Sequence, residues 1–308
     1  MASKTSNIAI GIIVGVVVIV GIILLIGFLL EWWFVRKPSF TNSNLSRTAT
    51  VCSEFSYSPE IKGGKNLVYS MTASPSAPWL SINSSTGVIT SAHVPLDMEE
   101  TKVTVTATED TNLARTATQT LTITRGGVTT TDATWDPATK SSNITITDNL
   151  VSKPRDTQSA WVYADIIPQN ECIIHFDLSG MDLNLTQGRF FFGIYDSKAA
   201  TTDGAWVNNL PGFDLRFERF GNGEAFVGVA DGEFRSEATS ESRDAFQAKP
   251  FSMLIVDSKV VSVRGPDETI ELDPPVVLDS NTNYYIGVRR PSTTNTQISV
   301  RVSYEYCA

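Results

Sequence analysis

The side chains that could do chemistry are few and scattered. The chain has two histidines, His93 and His175, and three cysteines, Cys52, Cys172 and Cys307. Cys172 and His175 lie three positions apart, so on a strand they point to opposite faces and cannot share a metal. No GxSxG elbow, HExxH pair or phosphate-binding loop occurs. Gly221-x-Gly223 lacks the helix that a phosphate site needs. Carboxylates are plentiful, but no Glu-x-Asp-x-Glu strand sets up a glycosidase pair. The sequence predicts no catalytic site, no metal centre and no cofactor. The cysteines are far apart, with no CxxC, and an odd count leaves at most one internal disulfide plus a free thiol. Cys52 and Cys307 both fall on the polar side of their strand patterns. A Cys52–Cys307 bridge, an intermolecular bond and a fully reduced chain in a reducing compartment all stay open.

Binding chemistry has one sequence candidate. The long connection 196–211 carries Trp206, Asn208 and Asn209, and long loops on rigid scaffolds often carry function. An exposed indole there could stack on a sugar or fill a partner's pocket, or it could fold back onto its own scaffold. Asn-x-Ser/Thr sequons at Asn44, Asn83, Asn143 and Asn184 occur at about the chance rate for this composition and do not fix the compartment.

The elements that must position these groups are of two kinds. Residues 8–30 read IAIGIIVGVVVIVGIILLIGFLL, without a charge. Such a run makes a helix of about 34 Å, enough to cross a hydrocarbon core. It is too long, and too bulky at its end, for a cleaved signal peptide. Trp32 and Trp33 follow at the level of an interfacial aromatic belt, then Arg36 and Lys37, then Pro38, which ends the helix. Gly11 and Gly15 form a GxxxG pair that could bring two such helices together. The positive charges on the two flanks nearly balance, so orientation is not resolved.

The rest of the chain shows no helical periodicity. It shows short alternating runs rich in Thr, Val and Ile, separated by Gly, Asn and Asp. The predicted class is therefore all-β. We divide the chain into a polar tail (1–7), the transmembrane helix (8–30), a juxtamembrane stalk (31–47), a first β-sandwich (48–125), a flexible linker (126–131) and a second sandwich (132–308). The chain carries 33 acidic and 24 basic residues, a net charge of −9. That balance repels phosphate backbones and argues against a nucleic-acid partner. Anionic lipid surfaces are repelled as well, so membrane binding falls to the apolar run.

Two resemblances follow from particular strings. WLSINSSTGVIT, LDMEETKVTVTATED and TATQTLTI, spanning about residues 48–125, resemble the cadherin-like and immunoglobulin-like modules of surface proteins. That resemblance implies a spacer or adhesion module. It also implies possible calcium ligands at Glu99, Glu109 and Asp110, although Arg125-Gly126-Gly127-Val128 replaces the acidic linker that completes such sites. The opening Trp135-Asp136-Pro137, with Trp161-Val162-Tyr163 and Phe192-Gly193-Ile194-Tyr195, looks like SPRY-type, concanavalin-like sandwiches, here extended to a jelly-roll-like domain over 132–308. This implies a binding or structural role rather than catalysis.

Two functional expectations result. The first is a non-enzymatic structural protein that tethers a lipid bilayer to other proteins of a shell or surface layer, as a minor capsid protein of a membrane-containing virus does. The alternative is a surface adhesion protein that binds a glycan or receptor.

Overall fold

Alternation of apolar and polar residues at period two, without the 3.6-residue period of a helix, commits this chain to strands. The computed structural model describes residues 17–23, 25–26, 36–111, 114–156, 160–166, 171–178, 188–195, 212–219, 225–230, 234–236, 250–265, 269–290 and 296–307. Apart from helical residues 17–23 and 25–26 and one turn of 3-10 helix, the described elements are strands. The chain divides into two compact units, Met1–Gly126 and Gly127–Ala308.

The first unit contains β1 (Ser39–Phe40), β2 (Asn44–Thr50), β3 (Phe55–Tyr57), β4 (Ile61–Lys62), β5 (Leu67–Ser74), β6 (Ser81–Ile82), β7 (Ile89–Ser91), β8 (Thr101–Glu109) and β9 (Thr116–Gly126). A four-stranded sheet, β2-β9-β8-β5, and a three-stranded sheet, β3-β7-β6, carry the core. β2 runs parallel to β9, and the other pairs are antiparallel. Odd-numbered positions face inward: Val103, Val105 and Ala107 of β8 and Leu121 and Ile123 of β9 are fully buried. One amide interrupts this apolar row. Gln119 is buried, accepts a hydrogen bond from the Tyr57 hydroxyl at 2.8 Å and donates to the Asn42 carbonyl at 2.6 Å, so it is satisfied. Between β6 and β7 the Asn83 side chain accepts hydrogen bonds from the backbone N–H groups of Ser85 and Thr86. Gly87 closes that turn at φ +74°, where a Cβ would run into the Tyr69 ring.

The second unit contains β10 (Val128–Asp132), β11 (Thr145–Thr147), β12 (Leu150–Asp156), β13 (Ala160–Ile166), β14 (Glu171–Asp177), β15 (Gly188–Tyr195), β16 (Gly212–Arg219), β17 (Ala225–Ala230), β18 (Phe234–Ser236), β19 (Phe251–Val256), β20 (Lys259–Arg264), β21 (Thr269–Val277), β22 (Tyr285–Arg290) and β23 (Thr296–Cys307). An eight-stranded sheet runs β11-β12-β23-β14-β19-β20-β21, with β10 also on β23, and a six-stranded sheet runs β13-β22-β15-β16-β17-β18. β23 organises the larger sheet. One of its edges pairs along its whole described course with β12 and then β10, and its other edge pairs with β14. Asp257 and Ser258 both have positive φ in the two-residue turn between β19 and β20, as a primed hairpin turn requires. Pro274 and Pro275 lie in β21, at the edge of the sheet, where a missing backbone donor is tolerated.

Aromatic packing joins the two sheets. Phe176 of β14 stacks on Phe251 of β19 with ring centroids 4.6 Å apart. Phe192 of β15, from the other sheet, meets both rings edge-on at 5.8 Å. Ile194, Ile286, Val288, Val300 and Val302 belong to the same buried cluster. Trp135 belongs to it too, and its indole N–H donates to the Asn149 carbonyl at 2.9 Å. Tyr195 is buried although its neighbour Ile194 faces the core, so β15 is covered on both faces, as the pattern of its aromatic residues implies.

Two of the expected boundaries change. The stretch 31–47 is not a stalk throughout: β1 and most of β2 lie within it and are paired into the first sandwich. Its Asn/Ser-rich composition hid strands whose apolar content is small. The stretch 126–131 is not a flexible linker. Gly126 ends β9 and β10 begins at Val128, pairing with β23 from Val128 opposite Cys307. Threonine, read there as a linker residue, acts as a strand former.

The expected membrane helix is only partly described. Residues 17–23 and 25–26 are helical and their apolar side chains are exposed, Val17 at 65% and Ile23 at 61%. Among the described residues no helix is long and apolar enough to cross a membrane. The rest of 8–30, with Gly11 and Gly15, lies outside them.

Phe176 contacts partners from both sheets, so its truncation leaves a cavity that neither sheet can close alone. Phe176→Ala is expected to cost about 3–5 kcal/mol and Phe176→Leu less than about 1.5 kcal/mol, read by urea unfolding of the full chain. Equal costs for the two variants would show that this cluster does not hold the sheets together.

Candidate functional site

The chain leaving the apolar segment must be fixed to the first sandwich, and the loop 63–66 does this. Gly63 and Gly64 both have positive φ, +74° and +79°, and Asn66 follows at +49°. This left-handed run turns the backbone so that the Gly64 N–H donates to the Arg36 carbonyl at 2.7 Å. A Cβ on Gly63 would lie 2.6 Å from the Arg36 carbonyl oxygen and 2.7 Å from that of Lys37. Only glycine lets the two segments come this close. Pro38 is buried beside the loop, and β1 then pairs with β4. Arg36 and Lys37 keep their side chains exposed at the entrance. Trp32 and Trp33 lie outside the described residues.

The far side of the same loop rests on Glu109. The Glu109 carboxylate accepts a hydrogen bond from the Lys65 backbone N–H at 3.1 Å. It also takes both arms of the Arg115 guanidinium, at 2.6 and 3.0 Å. The Asp110 N–H donates to the Asn66 carbonyl at 2.9 Å. Glu109 is 2% exposed, sealed by these close partners rather than sunk among apolar side chains. Its carboxyl is held below the ordinary carboxylate range, first by the Arg115 hydrogen bonds, then by the Lys65 N–H and the nearby positive charges, against the opposing effect of burial.

This arrangement corrects the calcium expectation. Glu99 precedes β8 and Glu109 ends it, so an extended strand holds them roughly 30 Å apart. Glu99 and Asp110 are exposed. Glu109 already has its counter-charge in Arg115, which stands where a cation would have to bind. The resemblance placed these carboxylates by sequence order, and strand extension separates them. Sequence reading did not single out Gly63-Gly64 and missed the clamp. Two adjacent glycines with Asn two positions further on, all able to adopt positive φ, were the available signal.

Among the described residues, Cys172 and His175 do not come together. Cys172 is buried in the second core, and burial pushes its thiol up to about 12, helped by the Glu305 charge. His175 lies on the opposite face of β14, with Nε2 3.5 Å from the Glu305 carboxylate. The two therefore face apart, as their spacing requires. Cys52 and Cys307 are disulfide-bonded, and Cys172 is a free thiol. Trp206, Asn208 and Asn209 lie outside the described residues.

The clamp makes two predictions. Gly63→Ala should release the segment at Arg36, seen as a several-fold faster tryptic cut after that residue while the sandwich stays folded by circular dichroism; an unchanged rate would remove the clamp. For Glu109, the folded pKa lies below the unfolded one, so its contribution is present above the ordinary carboxylate range and is lost as pH falls through the folded value. Glu109→Gln should therefore cost about 1–3 kcal/mol at neutral pH. It should also flatten the loss of stability on acidification, measured by thermal unfolding as a function of pH.

No protein-family model and no curated protein matches the sequence. Solved structures similar to the chain include immunoglobulin-like, cadherin-like and legume lectin-like β-sandwiches. One is the Emp46p carbohydrate recognition domain in its potassium-bound form, at 8% identity and TM-score 0.35, over 58% of this chain and 88% of that one. Another is the legume lectin-like domain from Entamoeba histolytica, at 10% identity and TM-score 0.35, over 59% and 90%. A third is PcdhgB3 EC1-4, at 11% identity and TM-score 0.27, over 76% of this chain and 49% of that one. The likeness extends to β-sandwich layout and no further.

Proposed function

We propose that this chain is a non-enzymatic recognition protein displayed from a membrane, with its two β-sandwiches on the oxidising side. The observation that carries the reading is the state of the cysteines. Cys52 and Cys307 are disulfide-bonded, and the thiol left over, Cys172, is buried with its pKa raised, so it is protonated and inert. Disulfides persist in secreted and surface proteins and are rare where glutathione keeps thiols reduced. The apolar run 8–30 supplies the anchor. The loop 63–66 seizes the chain at Arg36, so the first sandwich begins within a few residues of that anchor. Ligands of this reading are a glycan or a protein receptor, with the 196–211 connection and Trp206 as the binding element on the second sandwich.

A second reading, a tether between a bilayer and a protein layer such as a minor capsid protein provides, is favoured by the same short, clamped connection, which suits a fixed distance better than a flexible reach. Cysteine state and topology separate the two. Under the display reading, no thiol of the native full chain reacts with maleimide, one reacts after denaturation and three after reduction. Protease added to intact membranes then removes the sandwiches without detergent. Three thiols reacting before reduction, with the sandwiches protected until detergent is added, would replace display with the interior tether.

A further inference from the structure

The outward face of the four-stranded sheet in the first sandwich is almost free of charge and built almost entirely of hydroxyls. Every even-numbered residue of β9 from Thr116 to Thr124 is threonine, as is every one of β8 from Thr104 to Thr108. β5 and β2 present Ser and Thr at most of their outward positions. The register aligns these residues into rows across the sheet. Thr72 pairs with Thr104, Thr104 with Thr120, and Thr120 with Asn44. Next to that row, Ser70 pairs with Thr106 and Thr106 with Thr118. These side chains are half-buried or exposed, and Lys102 is the only charged residue on the face. Strand-forming tendency accounts for threonine on such a face, but not for the exclusion of Lys and Glu, the usual solvating residues of a sheet surface, from a chain in which 19% of residues are charged.

We infer that this hydroxyl face is a self-association surface whose partner is the same face of a second copy of the chain. Three physical points select that partner. A hydroxyl both donates and accepts, so a hydroxyl array is its own complement, which a carboxylate or ammonium array is not. Thr48 and Thr124 already show such a pairing within the sheet, with their hydroxyl oxygens 3.3 Å apart. The whole chain carries −9, so two copies repel except where acidic groups are missing, and this face has none. Two identical sheets also share one strand spacing and one residue repeat, so their short side chains interdigitate about a two-fold axis. Four strands about 4.8 Å apart and some 27 Å long give roughly 500 Å² per copy, or about 1,000 Å² for a pair, at the lower bound of specific interfaces. An interface at that bound is weak in solution and gains from tethering in one membrane plane. The inference goes beyond the display reading and does not depend on which side of a membrane the chain occupies.

The test is sedimentation velocity of the full chain in detergent micelles, with the fold of each variant checked by circular dichroism. Wild type should dimerise. Thr106→Glu and Thr106→Lys should each weaken the dimer by about tenfold or more, because like charges then meet at the centre of the contact. An equimolar mixture of the two variants should restore it, which a misfolded variant could not do. Gly11→Leu with Gly15→Leu should leave the dimer in place, since the helix is not the contact. A monomeric wild type, a Thr106→Glu chain that dimerises as well as wild type, a mixture that fails to recover, or loss of the dimer in the helix variant would each overturn the inference. None of these outcomes bears on the cysteine state or membrane topology that decide the display reading.

Discussion

A strand offers one face to the core and the other to whatever lies outside, and in both sandwiches the inward face is given over to apolar burial. In β8 and β9, Val103, Val105, Ala107, Leu121 and Ile123 are buried, and Gln119 among them is hydrogen-bonded to the Tyr57 hydroxyl and the Asn42 carbonyl. In the second unit, the stacked Phe176–Phe251 pair receives Phe192 from the opposite sheet. Burial of this kind, at about 25 cal/mol per Å², is the main favourable contribution to each fold. Because the period is two, a slip of one residue would expose the whole set, so the register is fixed. The outer face is then free to be shaped by function.

The clamp at loop 63–66 shows how backbone chemistry, with no catalytic side chain involved, can be the functional device. Positive φ at consecutive residues aims an N–H at the incoming chain, and the Glu109–Arg115 pair fixes the other side of the loop. A close, well-partnered carboxylate of this sort is costly to break and worth less to build, so its value lies in position more than in net stability. It turns what composition suggests is a loose stalk into part of a rigid body. Under the proposed display reading, such a short fixed connection would set the height at which the sandwich stands above the bilayer.

The proposed display reading draws on the oxidised cysteines, and the proposed pairing of copies on the hydroxyl face. A reducing interior would leave three thiols, whereas the structure holds Cys172 as a free thiol, walled into a core. An acidic protein on a surface avoids nonspecific partners by repulsion and can admit selected ones where its charge is withdrawn. The threonine rows are such a place.

Read alone, the sequence established the all-β class, the inward and outward parity of strands such as β8, β9 and β14, the opposed faces of Cys172 and His175, and the apolar run 8–30. All of these follow from local periodicity, which each segment carries within itself. Tertiary structure decided what depends on segments far apart in the chain: that Ser39–Phe40 pairs with Ile61–Lys62 instead of forming a stalk, that Val128 starts a strand instead of a linker, and that Glu109 meets Arg115 and Lys65 while strand extension keeps it far from Glu99. Polar strands and glycine pairs carry little periodic signal, and their roles appear only when a partner from elsewhere in the chain supplies the other half of the hydrogen bonds.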